Sequence, residues 1–451
     1  MSGGKIFEGS SYLRDHHRVT FSHILKSDMM KRICFGSVFL WHGEGVRQML
    51  NLMHNKLKMD PPMMASSAAA ASLAGVRPVD SLTVLSIVDN ETDSLSSACA
   101  CCAEPLSGIR YCSEIFQSLP RTFQIDMAAS CCAAHGLSLL LVTGTTNDDG
   151  TEETHSCLFD AGPHPSTFAD NVRKLGVDLS SVERIVLSHY HADHSAGLRA
   201  AVPLVAEARR AAGLPPPVVD LHPANPEMRG VQLPNGKIAP SVPRDPTFDE
   251  IRSMGGDVVA SSSAHAICGG SLFVSGEIPR VTDYEVGLPG HMTKLPGRDW
   301  EADPLILDER YVTVHVKNRG LVVFSACSHA GIVNVCKDAV ARGGGLPLFG
   351  VMGGFHLAGG PGVEGRVGPT VTDLRELNPS VIFPGHCTGW KAKMALAQAF
   401  PDRVQPAVVG GKYVFERAGD ATCAQAAAAA DKAPKGDAAH QTFGQALGEV
   451  E

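Results

Sequence analysis

No stretch of this chain is long and apolar enough to cross a bilayer. The best candidate, Ile33 to Trp41 (ICFGSVFLW), has basic neighbours and falls far short of the roughly 20 apolar residues a spanning helix needs. Positive charge is also short: 39 Lys and Arg stand against 47 Asp and Glu, a formal net charge of -8. That balance argues against an electrostatic grip on nucleic acid or on an anionic membrane surface, so any anion must be held by a few placed groups or by metal. Aromatic residues make up only 6%, which leaves a core of small and aliphatic side chains. The 13 cysteines are odd in number, spread along the chain and without a secretory signal before them, so a disulfide framework is not expected. Reduced thiols in an intracellular compartment are, the cytoplasm first, with organelle targeting by the N-terminal region as the alternative. No internal repeat is evident.

What the chain does have is enough apolar residue, 44%, to bury a large core. One large domain with extensions fits the length of 451 residues best. Residues 1–78 read as a disordered N-terminal extension. Its ASSAAAASLAG stretch after Met63 and Met64 leaves three readings open: a translation start there, a transit peptide, which Glu8, Asp15 and Asp28 weigh against, or a simple arm. Residues 419–451, with CAQAAAAADKAPKGDAAHQ, read as a low-complexity tail.

Between these ends, residues 79–418 alternate short apolar runs with Gly-, Pro- and Asp-rich turns. LTVLSIV, LSLLLVT, SCLFDAG, RIVLSH, GLVVFSA, PLFGVMGG and SVIFPGH read as strands; STFADNVRKLG, SAGLRAAV and TVTDLREL read as helices. The pattern is α/β. Residues 205–250 are dense in proline and read as a surface loop shaping access to a site. Residues 94–132 read as an inserted segment; its Cys99, Cys101, Cys102, Cys112, Cys131 and Cys132 follow no C-x-x-C pattern, and a structural zinc or an oxidation sensor is the lesser reading.

Chemistry concentrates in LSHYHADHSAGL, residues 187–198, where an apolar strand ends and His189, His191, Asp193 and His194 follow within a few positions. As a strand gives way to a loop, residues two apart share a side, so His189 and His191 can hold one metal while Asp193 and His194 face a second. Imidazole and carboxylate suit zinc, manganese or iron. Three more histidines, His329, His356 and His386, each follow an apolar strand. Any one alone could be a capping or packed histidine, but strands ending at one rim would bring all of them together. Cys327 and Cys387, beside these histidines, read as small buried packing groups.

On these residues the chain resembles the metallo-β-lactamase superfamily, whose HxHxDH motif is followed by later single ligands. The resemblance implies a four-layer αββα sandwich and a binuclear site for two divalent ions, zinc first, manganese or iron as alternatives. It makes His329 the third ligand of the first metal, His386 the distal ligand of the second, and Asp160 in LFDAG a support for the metal loop. The bridging aspartate common in hydrolases of the superfamily has no obvious counterpart; His356 occupies that stretch.

AHGLSLLL, SGEIPR, the pair Asp308 and Glu309, ACSHAGIVN, GGFHL and PGHCTG further resemble the dihydropterin-ribofuranosylaminobenzene-phosphate synthase branch, over about residues 79 to 416. That implies joining a dihydropterin methyl diphosphate to an aminobenzene riboside phosphate with loss of diphosphate. The expected function is a metal-dependent hydrolase or transferase acting on a phosphorylated or pterin-like small molecule. Asp193 and His356 are the expected catalytic groups, and His135, Glu277 and Arg280 are further candidates to contact substrate, Arg280 through its planar fork. A metal-containing protein that binds a small molecule without turnover is the alternative. Oligomeric state is not legible.

Overall fold

The computed structural model describes residues 73, 75–93, 109–113 (backbone alone), 130–359 and 361–418. The expected extension up to residue 72, the tail and most of the cysteine-rich segment lie outside the described residues. Eight strands form the first sheet, in the order β2 (Ile109–Ser113), β18 (Gly411–Glu416), β1 (Ser81–Val88), β3 (Ser138–Thr146), β4 (Glu152–Phe159), β5 (Val182–Val186), β6 (Val218–Leu221) and β9 (Asp257–Ala260). Six form the second: β10 (His265–Ile267), β11 (Leu272–Val274), β14 (Val312–Val316), β15 (Gly320–Ser325), β16 (Leu348–Gly354) and β17 (Val381–Gly385). A small third sheet pairs β13 (Trp300–Ala302), β12 (His291–Lys294), β7 (Met228–Gln232) and β8 (Ile238–Pro240). The helices are α1 (Pro165–Leu175), α2 (Ala192–Ser195), α3 (Leu198–Ala211), α4 (Phe248–Ser253), α5 (Ile332–Arg342), α6 (Pro361–Glu364), α7 (Val367–Leu377) and α8 (Trp390–Ala399). Among the described residues, no helix is long and apolar enough to cross a membrane.

The layers follow from period-two patterning. In β15 every residue is buried, but Val322 and Phe324 join the core between the two large sheets while Leu321 and Val323 face α5 and α8. Val84, Leu139, Leu141 and Phe159 close that inter-sheet core from the first sheet. On the first sheet's far side, Leu158, Ile185 and Val219 pack against Phe168 and Val172 of α1 and Val202 and Val205 of α3. The result is the four-layer αββα sandwich. Each large aliphatic or aromatic side chain so buried contributes about 1.5–3 kcal/mol.

Two boundaries differ from the sequence reading. Residues 205–250 are not one loop: α3 runs to Ala211, β6 joins the first sheet, β7 and β8 pair, and a Thr247–Glu250 capping box starts α4. The prolines Pro215 to Pro217 punctuate the chain before a strand of which Val219, Asp220 and Leu221 are buried, so they mark an element's edge. Within the segment read as an insertion, β2 adds an edge strand to the first sheet beside β18.

Charge is buried where the sheets meet. Arg310 is almost wholly enclosed and donates to Asp220 Oδ1 at 2.8 Å and to the Leu187 carbonyl at 2.7 Å. Burial alone would raise the Asp220 carboxyl, but His265 and Arg310 outweigh it and hold it down to about 2 from an ordinary 3.8. A depressed carboxylate contributes stability that is present above its ordinary value and lost as pH falls through the folded one. Asp220→Asn is therefore expected to cost about 3–5 kcal/mol at neutral pH by leaving Arg310 unpaired. In urea melts the gap to the parent should narrow from pH 3.8 toward 2.

Candidate metal centre

The candidate residues lie on turns that leave the same rim. Asp160 follows β4, the 187–194 loop follows β5, and Cys327, His329, His356 and His386 follow β15, β16 and β17, which run parallel. Parallel strands end on one side, which is why residues scattered through the sequence converge. The loop after β5 is pinned to the turn after β4 by Ala161 N–H to the His194 carbonyl (3.0 Å) and Gly197 N–H to the Gly162 carbonyl (2.8 Å). Gly197 permits that approach, since a Cβ there would run into the Ala161 carbonyl.

Two sets of donor atoms result. His189 Nε2 and His329 Nε2 lie 3.0 and 3.2 Å from His191 Nδ1. Asp193 Oδ2 lies 3.5 Å from His194 Nε2 and 3.3 Å from His386 Nε2. Ligands held about 2.0–2.1 Å from a tetrahedral ion are themselves about 3.3 Å apart, so both sets have the edge lengths of a coordination shell. Cys327 Sγ sits 3.1 Å from His194 Nε2 and 3.2 Å from His386 Nε2, and within 4.8 Å of the donor atoms of His189 and His329.

Four of the five rings are fixed from behind, and the fifth, His329, has its Nδ1 buried without a hydrogen-bond partner among the described residues. His194 Nδ1 donates to Asp160 Oδ2 (2.8 Å), and the same carboxylate accepts from the Ser188 backbone and hydroxyl. His189 Nδ1 meets the Ser188 hydroxyl at 2.9 Å, and His386 Nδ1 donates to Asn90 Oδ1 at 3.0 Å. His191 is held through its other nitrogen: Nε2 lies 2.9 Å from His291 Nε2, and His291 Nδ1 donates to the Asp303 carbonyl. On these four rings the partners choose tautomers that leave one lone pair facing the centre. The backbone is held likewise. Asp308 Oδ2 accepts from Tyr190 N–H, and Glu309 accepts from the N–H groups of His329 and Ala330.

Electrostatics separate the sets. Burial and the crowding of like rings hold His189 and His329 well below the ordinary imidazole value, and burial takes His191 down to about 3. Three neutral rings with free lone pairs suit a cation. In the other set, burial alone would lower His194 and raise Asp193, but their mutual attraction reverses both, so His194 stands well above its ordinary value and Asp193 well below. Imidazole, carboxylate and thiol donors, oriented by hydrogen bonds, are the donor chemistry of zinc and its first-row neighbours.

The remaining candidates are dispersed. His356 stacks against His329 with ring centroids 4.5 Å apart and groups with Cys327 and Cys387, outside the set around Asp193. Cys327, not His356, is common to the candidate donor groups on the two sides. His135 is exposed at the mouth, its Nε2 3.7 Å from Asp193 Oδ2. Arg280 donates to the carbonyls of His329 and Leu305, so it braces the loop carrying His329 and its fork is already engaged. Glu277 is exposed and has no place in either set. Sequence reasoning missed Asn90, Ser188 and His291. Ser188 sits inside the LSH motif and Asn90 in the DNETD turn, both visible signals; His291 lies in a stretch without one.

A cleft of about 430 Å³ opens on the centre, with His135, His191 and Asp193 on its floor and Val231, Val242 and Leu288 on its wall. Arg229 also lines it, but its guanidinium is engaged by Asp303 and Asp308.

Residues 150–281, which include the HxHxDH motif, match the model of the Metallo-beta-lactamase superfamily. A curated relative, 7,8-dihydropterin-6-methyl-4-(beta-D-ribofuranosyl)-aminobenzene-5'-phosphate synthase of Methanocaldococcus jannaschii, is 27% identical over 270 residues, 59% of this chain and 85% of its own. An uncharacterized protein of the same organism is 27% identical over 272 residues, 59% of this chain and 88% of its own. A solved metal-dependent hydrolase of the beta-lactamase superfamily superposes with a TM-score of 0.50 at 21% identity, over 73% of this chain and 98% of that one. The resemblance drawn from the motifs is thus shown: this chain has the metallo-β-lactamase fold and is similar to the dihydropterin synthase branch.

Asp160→Ala should weaken metal binding by about 10–100-fold, the usual cost of losing a support behind a ligand. Chelator competition would measure it, and unchanged affinity would show that Ser188 and Asp160 do not orient the centre.

Proposed function

We propose that this protein is a metalloenzyme with two divalent ions, zinc first, that acts as a hydrolase or transferase on a phosphorylated small molecule of pterin type. The observation that carries this is the meeting of two donor sets at coordination-edge distances, with four of the five rings held from behind. The name of the curated relative supports the substrate class, and the apolar wall of the cleft suits a planar ring. The ions would supply Lewis-acid polarisation of a phosphoryl or acyl oxygen, an acidified water, or neutralisation of a departing diphosphate.

The chain's own groups supply position and hydrogen bonds. Asn90 Nδ2 donates to His135 Nδ1 at 2.9 Å, so the neutral His135 ring carries its proton on Nε2, the atom facing Asp193 and the cleft. From there it can donate a hydrogen bond to a phosphoryl or leaving-group oxygen. Burial, with the nearby His386 adding to it, lowers its pKa and so favours this neutral donor form. The net charge and the enclosed cleft point to a small molecule and not to nucleic acid or a membrane as the partner.

Metal content of the full chain, purified without chelator, tests the proposal. About two ions per chain are expected, lost in His191→Ala and Asp193→Ala together with turnover of phosphoesters, acyl esters or pterin diphosphates. One ion or none would bring a non-catalytic small-molecule binder to the front. His135→Ala should keep both ions while lowering kcat by about 10²–10³-fold; unchanged kcat would remove His135 from the chemistry.

A further inference from the structure

Resting on the binuclear reading, we propose that Cys327 is a thiolate ligand shared by the two metal positions. Its Sγ is the fourth corner of the set formed by Asp193, His194 and His386. The edges from sulfur to the two rings are 3.1 and 3.2 Å, and those from Asp193 Oδ2 to the same rings are 3.5 and 3.3 Å. With metal bonds of about 2.3 Å to sulfur and 2.0–2.1 Å to nitrogen or oxygen, tetrahedral edges fall at about 3.3–3.6 Å, so a small outward relaxation seats an ion. The same sulfur lies within 4.8 Å of the donor atoms of His189 and His329, on the side of the first set.

The packing reading fails on what surrounds the sulfur. Cys157 and Cys268 belong to the inter-sheet apolar core and Cys336 to the apolar core beneath α5. Cys327 is as buried as they are, yet belongs to none of the three apolar cores; its sulfur faces ring nitrogens. Cys387, the other thiol nearby, donates to the Cys327 carbonyl at 3.6 Å and groups with Cys327 and a ring nitrogen of His356, not with Asp193 and His194.

On metal binding the Cys327 S–H proton leaves to solvent and the sulfur pair forms the metal bond. A soft bridging ligand favours zinc or ferrous iron over manganese or magnesium. It also sets the charge. Two divalent ions against Asp193 and Cys327 leave a surplus of two positive charges, which an anionic phosphate or diphosphate would meet.

Cobalt(II) loading of the full chain separates the possibilities. Expected are two cobalt ions per chain and a sulfur-to-cobalt charge-transfer band in the near ultraviolet. The band should persist in Cys387→Ala and vanish in Cys327→Ser, which should also bind its second ion more weakly by upwards of about 10-fold. Cys327→Asp should restore two ions without the band. Two ions with no band in the parent protein, or a band that survives Cys327→Ser, would overturn the shared thiolate while leaving the binuclear reading standing. A parent protein that binds no cobalt would overturn that reading itself.

Discussion

Two carboxylates that are neighbours in sequence hold the centre together. Asp308 accepts from the backbone of the first ligand loop at Tyr190, and Glu309 accepts from the backbone of the loop carrying His329. The first loop hangs from the first large sheet and the second from the other, so the segment 308–310 stitches the two sheets at the site. Arg310 completes the stitch by bonding the Ser188 and Leu187 carbonyls. Enclosing such charges costs several kcal/mol each unless they are paired or hydrogen bonded. Arg229 pairs Asp308, whereas Glu309 accepts from two N–H groups, and burial outweighs them and the pull of Arg280 and His356 to push its carboxyl up to about 7.

The arrangement explains why so much was legible in the sequence. Strand runs such as SCLFDAG and GLVVFSA are short, β-branched or aliphatic and end in Asp, His or Gly, so both the strands and the rim at their ends can be read from one chain. The residues behind the ligands were only partly visible. Asp160 belongs to a motif, but His291 reaches His191 from β12, a hundred residues away in a sheet whose pairing no local pattern announces. The polar surroundings of Cys327 were hidden for a different reason. A buried cysteine is usually a packing group, and only the positions of His194 and His386, set by different strands, show that its sulfur faces nitrogen. The proline-dense region misled because proline marks the borders of short strands as readily as it marks loops.

The two donor sets differ in character in a way that bears on reactivity. One is three neutral rings without a carboxylate; the other gathers the negative charge. An ion in the neutral set would remain the more electron-poor of the two and so the stronger Lewis acid, and an ion beside Asp193 the better neighbour for a group that must gain or lose a proton.

The cleft wall belongs mainly to the third sheet and the turns beside it, and the ligand loops to the two large ones. Sequence drift at Val231 and in the turn after β7 can therefore reshape what the cleft admits without disturbing the ligand atoms. Two residues of the third sheet are exceptions: His291 of β12 steadies a ligand ring, and Arg229 of β7 pairs the Asp308 that holds the first ligand loop. Through those two side chains, a change in the wall that displaced β7 or β12 would be felt at the centre, so the shape of the cleft and the geometry of the donor atoms are free to evolve separately elsewhere on that sheet.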